Sequence, residues 1–162
     1  MTPAELLDVL QEAYRETLDL VQARQINARS VTDYNANNAY QQVLGRQDVH
    51  LRWLADAIDS LGGAASLPGQ SQDDAVTTPR ADVNTLIEAD ERTQRAFIER
   101  WAPRVAAVTN ARHRKMLALI LGEMAEHLRV FQQALAGRSD LLGRASAGKI
   151  LRGEVMATRP RN

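Results

Sequence analysis

The spacing of apolar residues is the feature that most constrains this chain. In four separate stretches these residues recur at alternating steps of three and four, which is the pattern of one helix face packed against other helices. The four stripes run from Leu7 to Val21, Val43 to Leu61, Val83 to Val105 and Leu117 to Ala134. Only 4% of residues are aromatic, which also favours helix over sheet. The sequence therefore predicts an all-α four-helix bundle.

Capping and helix-breaking residues bound the four predicted helices. Short polar side chains favour helix starts, and glycine favours helix ends. The boundary residues, in chain order, are Thr2, Asp33 or Asn35, Gly62-Gly63, residues 79–82, Asn110 and Gly137. Pro103 lacks a backbone N–H, so it should kink or break the third helix.

One long connection, residues 64–80, separates the second and third predicted helices. A short turn would make these helices antiparallel neighbours, whereas a connection of this length can cross the length of a bundle. Residues 1–137 are expected to form the bundle. Residues 138–162 form a tail with six basic and two acidic residues, which could add a short fifth helix.

Composition excludes several classes of function. Lys plus Arg and Asp plus Glu both number 20, so no overall field favours nucleic acid or an anionic membrane. The absence of cysteine excludes disulfides, thiolate metal sites and cysteine nucleophiles. No secretory signal or membrane-spanning run is visible. We therefore expect a cytoplasmic protein with no nucleic-acid or membrane partner.

Polar residues interrupt the apolar stripes at a few positions. Gln47 and His50 lie three apart in the second predicted helix, and Met124 and His127 lie three apart in the fourth. Glu91 lies on the stripe of the third helix, where a carboxylate is costly to bury unless it is paired or bound to a metal. Imidazoles from two facing helices could converge on one point in the core.

These residues resemble the inner site of the ferritin-like superfamily, especially bacterioferritin- and rubrerythrin-type bundles. In that family the second and fourth helices each carry Glu-x-x-His, the first and third each add a Glu, and together they hold two metal ions. The segments 47–58 and 120–127, with the single long connection between them, are similar to the family's second and fourth helices. The likeness covers roughly residues 4–135.

The resemblance assigns a role to each matching position. His50 and His127 match the histidines, and Glu91 matches the carboxylate of the third helix. Gln47 and Met124 stand where the family has bridging carboxylates.

The carboxylate position of the first helix falls near Tyr14 or Glu16, and Tyr14 fits the inward stripe better.

The replaced ligands weaken a two-metal site. Two divalent ions roughly 4 Å apart repel strongly unless several carboxylates neutralise them. An amide oxygen is a poor bridge, and a thioether prefers soft metals. A single Fe or Zn ion held by His50, His127 and Glu91 remains plausible chemistry. The simpler alternative is a pair of core histidines that hydrogen-bond to Glu91, Gln47, Gln94 or water.

Three functions follow as hypotheses. The first is a bacterial ferritin-like bundle with an altered inner site, non-catalytic or binding one metal ion, with a binding or stress-associated role. The second is a di-iron oxidoreductase or ferroxidase that uses Glu16, Glu123 or Glu126 in place of the missing ligands. The third is a structural or assembly protein that acts through dimerisation. The resemblance also implies a homodimer.

Overall fold

The computed structural model describes residues 1–65 and 82–142, which form four α-helices and no strand. The helices are α1 (Pro3–Ala28), α2 (Tyr34–Asp59), α3 (Val83–Ala107) and α4 (Ala111–Leu135). The prediction of an all-α four-helix bundle is therefore confirmed. The centre of the predicted connection and residues 143–162 of the predicted tail, including the suggested fifth helix, lie outside the described residues.

The helices begin at the predicted capping residues. Thr2 forms a capping box with Glu5 at the start of α1. Asp33, and not Asn35, caps α2 by accepting a hydrogen bond from the Ala36 amide at 2.8 Å. The Asn110 side chain caps α4 in the same way. These side chains satisfy backbone amides that have no partner within their helix.

The predicted helix break at Pro103 is wrong, because α3 continues to Ala107. A proline removes a single backbone hydrogen bond, and tertiary packing can offset that loss near a helix end. Trp101 and Val105, on either side of Pro103, are both buried in the core. Their packing holds the last turn of α3 in place.

Neighbouring helices in the bundle run antiparallel. α1 packs against α2 and α3, and α4 packs against the same two helices. Glu12 of α1 pairs with Arg104 near the end of α3, whereas Asn27 reaches Asp90 near its start. Gln11 likewise reaches Ala64, beyond the end of α2. α2 and α3 therefore point the same way, and the connection between them begins and ends at opposite ends of the bundle.

Two apolar clusters fill the bundle, one toward each end. The first contains Leu10, Leu54 and Trp101, and the second contains Val43 and Phe131. On α2, α3 and α4, buried polar residues lie between the residues of these clusters. The set called here the polar layer comprises Thr17, Arg24, Gln47, His50, Asp90, Gln94 and His127, all buried.

None of the described helices combines the length and the apolar character needed to cross a membrane.

Candidate functional site

The two predicted histidines lie side by side between α2 and α4. His50 is fully buried, and only 8% of His127 is exposed. Their ring centroids are 6.0 Å apart and their planes differ by 28°. Each histidine comes from the buried stripe of its own helix, so the packing of the two stripes brings the rings together.

A carboxylate completes this cluster, and it comes from Glu123, one turn before His127. One oxygen of Glu123 lies 2.6 Å from His50 Nε2. The Arg46 guanidinium binds both oxygens of the same carboxylate, with Nε at 2.5 Å from Oε2 and Nη2 on Oε1. Hydrogen bonds from Arg46, and then from His50, hold the pKa of Glu123 down at about 2. Because Glu123 is ionised, His50 Nε2 carries the ring proton and donates it.

Both histidines are neutral near physiological pH. Burial, and after it the positive charge of Arg24, lower the pKa of His127 to about 3. Burial also lowers the pKa of His50, although the hydrogen bond with Glu123 opposes this effect. A neutral imidazole keeps a lone pair on one ring nitrogen, which is the form that binds a metal ion.

Several buried polar atoms near the histidines lack a hydrogen-bond partner among the described residues. They include Nδ1 of His50, Nδ1 of His127 and Oε1 of Gln47. The Gln47 amide donates instead to the thioether of Met124, at 3.4 Å. Unpaired buried polar atoms cost free energy, and both imidazole nitrogens are potential ligands.

Glu91, predicted as the carboxylate of the site, points elsewhere. It accepts hydrogen bonds from Arg95 and from Gln132, the latter at 3.1 Å, near the surface. The polar residues of α3 that face inward are Asp90 and Gln94. The set of His50, His127 and Glu91 is therefore not assembled. Over residues 1–65 and 82–142, no three His, Asp or Glu side chains stand together as a metal-binding group.

Most of the other candidate ligands also lie away from the two histidines. Tyr14 packs into the first apolar cluster. Glu16 accepts a hydrogen bond from Trp101 Nε1 at 2.5 Å and pairs with Arg100. Glu126 pairs with Arg129, and both side chains are mostly exposed. Of the carboxylates suggested as replacements, Glu123 alone contacts a histidine of the layer.

Sequence reasoning missed a second part of the polar layer, a buried ion pair. Arg24 is fully buried, with Nε 3.7 Å from the Asp90 carboxylate. Its Nη2 donates to Gln94, and its guanidinium lies 5.1 Å from the centre of the Phe131 ring.

Asp90 is held by further donors. Its Oδ2 accepts hydrogen bonds from Tyr40 at 2.7 Å and from Asn27 at 3.0 Å. Arg24 lies on the buried stripe of α1 that runs through Thr17 and Val21 to Ala28. This spacing is the sequence signal that could have identified it as buried.

The polar layer does not suit two divalent ions. Gln47 and Met124 are neutral, and Gln94, which donates to the Met124 carbonyl at 3.0 Å, is neutral as well. The carboxylates of Asp90 and Glu123 are already balanced by arginines. Arg24 brings a fixed positive charge into the layer, and a further charge of about +4 would be poorly compensated there.

A groove of about 590 Å³ runs between α2 and α4 and leads from solvent to His127. Its walls are mainly apolar, with a smaller polar part. Its lining includes Val43, Arg46, Glu123, His127 and Leu141. The groove therefore gives a small solute access to one of the two imidazoles.

Comparisons of the chain with protein-family models, with curated proteins and with solved structures found no match. Membership of the ferritin-like superfamily stays a prediction, and the function has to be argued from the geometry of the polar layer.

Replacing Arg24 should destabilise the bundle strongly. Arg24→Met leaves Asp90 buried without its cation, and breaking a buried pair in this way costs about 3–5 kcal/mol. Asp90→Asn keeps acceptors for Tyr40 and Asn27, so adding it to Arg24→Met should recover part of the loss. Urea unfolding of the three variants measures this. An Arg24→Met protein as stable as the wild type would show that the pair contributes no stability.

The protein should also become less stable in acid, over the pH range in which the unfolded chain protonates histidines that the folded protein keeps neutral. The folded pKa of His127 is about 3, and the unfolded value is about 6.5. The unfolded chain therefore binds more protons between these values, and stability is full above about pH 6.5 and declines as pH falls toward 3. Glu123 adds to the decline below about pH 4.5.

The contribution of His127 can be isolated between pH 4.5 and 6.5, above the range in which Glu123 titrates. There, His127→Gln should reduce the slope of unfolding free energy against pH by up to about 1.4 kcal/mol per pH unit. Denaturant unfolding at a series of pH values gives the slope. An unchanged slope would mean that His127 titrates normally in the folded protein.

Proposed function

We propose that the protein is a non-catalytic four-helix bundle, of the ferritin-like type, that binds one divalent transition-metal ion. The ligands would be His50, His127 and Glu123. The ion would link α2 to α4 within the bundle. This differs from the ligand set expected from the sequence only in the carboxylate, which moves from Glu91 to Glu123.

The observation that supports this proposal most is the pair of neutral, buried imidazoles beside an ionised carboxylate. The Nδ1 atoms of His50 and His127 have no partner in the described part of the chain. Glu123 accepts a hydrogen bond from Nε2 of His50, on the other edge of the ring from Nδ1, so its carboxylate lies close to the histidines but does not face the free nitrogens. Two imidazoles and one carboxylate are a donor set that suits Zn(II) or Fe(II). No proton has to leave either imidazole at neutral pH before an ion binds.

Side-chain movement is part of this proposal, since the three groups do not form a metal-binding group as they stand. Glu123 has to leave Nε2 of His50 as well as its arginine partner in order to meet an ion on the Nδ1 atoms. Its side chain is 22% exposed and that of Arg46 is 41% exposed, so neither is locked inside the core. The groove supplies the path by which an ion reaches His127.

The di-iron alternative has less support. Such a site would need Glu16 or Glu126 beside Glu123, but Glu16 is bound to Trp101 and Glu126 lies at the surface with Arg129. A second ion would also be repelled by Arg24. The homodimer, the assembly role and the cytoplasmic location stay predictions.

Metal titration tests the proposal. Co(II), which reports its ligands through visible absorption, and Zn(II), followed by calorimetry, should each bind at one equivalent per chain. His50→Gln and His127→Gln should each weaken binding at least tenfold, because each removes one imidazole ligand. Circular dichroism checks that the variants remain helical.

The third histidine supplies a matched control. His113 is also buried but lies at the start of α4, so His113→Gln should bind metal like the wild type. Failure of the wild type to bind either ion would end the proposal of a metal site. Two iron equivalents per chain with oxygen consumption would instead favour the ferroxidase.

A further inference from the structure

The groove between α2 and α4 is continuous with the second apolar cluster. Val43 and Leu141 belong to that cluster and also line the groove, and Val130 of the groove lining packs against it. Leu142 lines the groove as well and is 53% exposed. An apolar molecule in the groove would therefore extend the cluster and remove apolar surface from water, which is the main source of free energy for apolar binding.

The size of the groove suits a small molecule. Its volume of about 590 Å³ lies within the range of roughly 300–1,000 Å³ that is typical of small-molecule sites. Gly45, inside α2, is part of its lining. No atom of the described residues lies within 4 Å of the position that a Cβ at Gly45 would take, and its φ is not positive. Glycine destabilises a helix relative to alanine, and here the missing side chain keeps the groove open.

The charged groups of the groove favour a neutral molecule. Arg46 and Glu123 pair with each other, and Glu126 pairs with Arg129. These four side chains therefore offer no unpaired charge to an ionised ligand, which would lose part of its hydration without compensation. A neutral ligand does not meet this cost.

His127 supplies a polar contact for such a ligand. The groove reaches this imidazole, and the ring is neutral because its pKa is lowered to about 3. Its Nδ1 is closed to solvent and unpartnered among the described residues, whereas Nε2 is not closed off in this way, so Nε2 is the nitrogen that a solute can meet. A hydroxyl group both donates and accepts a hydrogen bond, so it fits Nε2 in either tautomer of the ring.

We propose that the groove binds a neutral, mainly apolar small molecule that carries one hydroxyl group, an alcohol or a phenol. The apolar body packs on Val43, Val130 and Leu141, and the hydroxyl forms a hydrogen bond with Nε2 of His127. This site does not depend on the proposed metal ion, because the walls of the groove and Nε2 hold the molecule, and the Nδ1 atoms take no part.

Binding of 2-naphthol, followed by its fluorescence with a chelator present, tests this site. The wild type should bind one equivalent, and it should bind naphthalene and 2-naphthoate more weakly. His127→Phe keeps an aromatic ring but removes the hydrogen bond. It should lower the affinity for 2-naphthol about tenfold and leave the affinity for naphthalene unchanged.

Two glycines give a matched pair of variants. Gly45→Leu places a side chain in the groove and should weaken the binding of both 2-naphthol and naphthalene by about tenfold or more. Gly122→Leu makes the same change in α4, where a Cβ also meets no described atom within 4 Å, but Gly122 lies outside the groove lining. It should bind both molecules like the wild type. Both replacements favour helix, and circular dichroism checks that the bundle stays folded.

Several results would overturn the inference. A wild type that does not bind 2-naphthol, or a Gly45→Leu protein that binds it equally well, would show that the groove is not a site for this molecule. Tighter binding of 2-naphthoate would show that the ligand class is wrong. A dimer that Gly45→Leu dissociates in sedimentation would mean that a second copy occupies the groove. A carbodiimide cross-link from Lys149 to Glu126 within one chain would mean that residues 143–162 occupy it.

Discussion

The Glu123 carboxylate, shared between Arg46 and His50, is the contact on which the proposed site beside the polar layer depends. It joins α4 to α2 with three charge-assisted or short hydrogen bonds. It also fixes the tautomer of His50, because an ionised carboxylate accepts the Nε2 proton and leaves Nδ1 as the free acceptor. The chemistry that we propose follows from this one arrangement of charges.

The polar layer is costly for a bundle of this size. Two apolar clusters supply the stability, while two amides and two imidazoles lie between them and a fully buried guanidinium lies against the second cluster. Several atoms of that layer have no partner within residues 1–65 and 82–142. Apolar residues of similar volume would often be equally stable or better. Departures from a purely apolar core are expected at functional or strained positions, and the layer is such a departure.

The fold was largely predictable, because it depends on periodicity and caps. The four stripes, Asp33 and Asn110 follow from local rules that tertiary contacts do not alter. His50 and His127 were also found, since each lies in the middle of its stripe. The structure places Asp90, and not the predicted Glu91, inside the bundle. Asp90 and Glu91 lie three and four residues after Ile87, and both spacings fit one helix face. A small rotation of α3 decides between them, and only packing fixes that rotation.

Glu123 and Arg24 were harder to place for a different reason. Glu123 lies at the edge of its stripe, and its role depends on Arg46 from another helix, which no local pattern reveals. Arg24 occupies a stripe position, but arginine is rarely fully buried, and its partners Asp90 and Gln94 are about 70 residues away in sequence. The part of the site that periodicity does not predict therefore depends on charged pairs between residues far apart in the sequence.

X-ray absorption at the zinc edge of the Zn(II)-loaded protein tests the central claim most directly, since it reports the ligands of the bound ion. The account predicts one zinc environment with two imidazoles and one carboxylate, and no second metal within about 4 Å. It also predicts that Glu123→Gln removes the carboxylate contribution and keeps both imidazoles. A metal–metal contribution, or a zinc environment without imidazole, would contradict it.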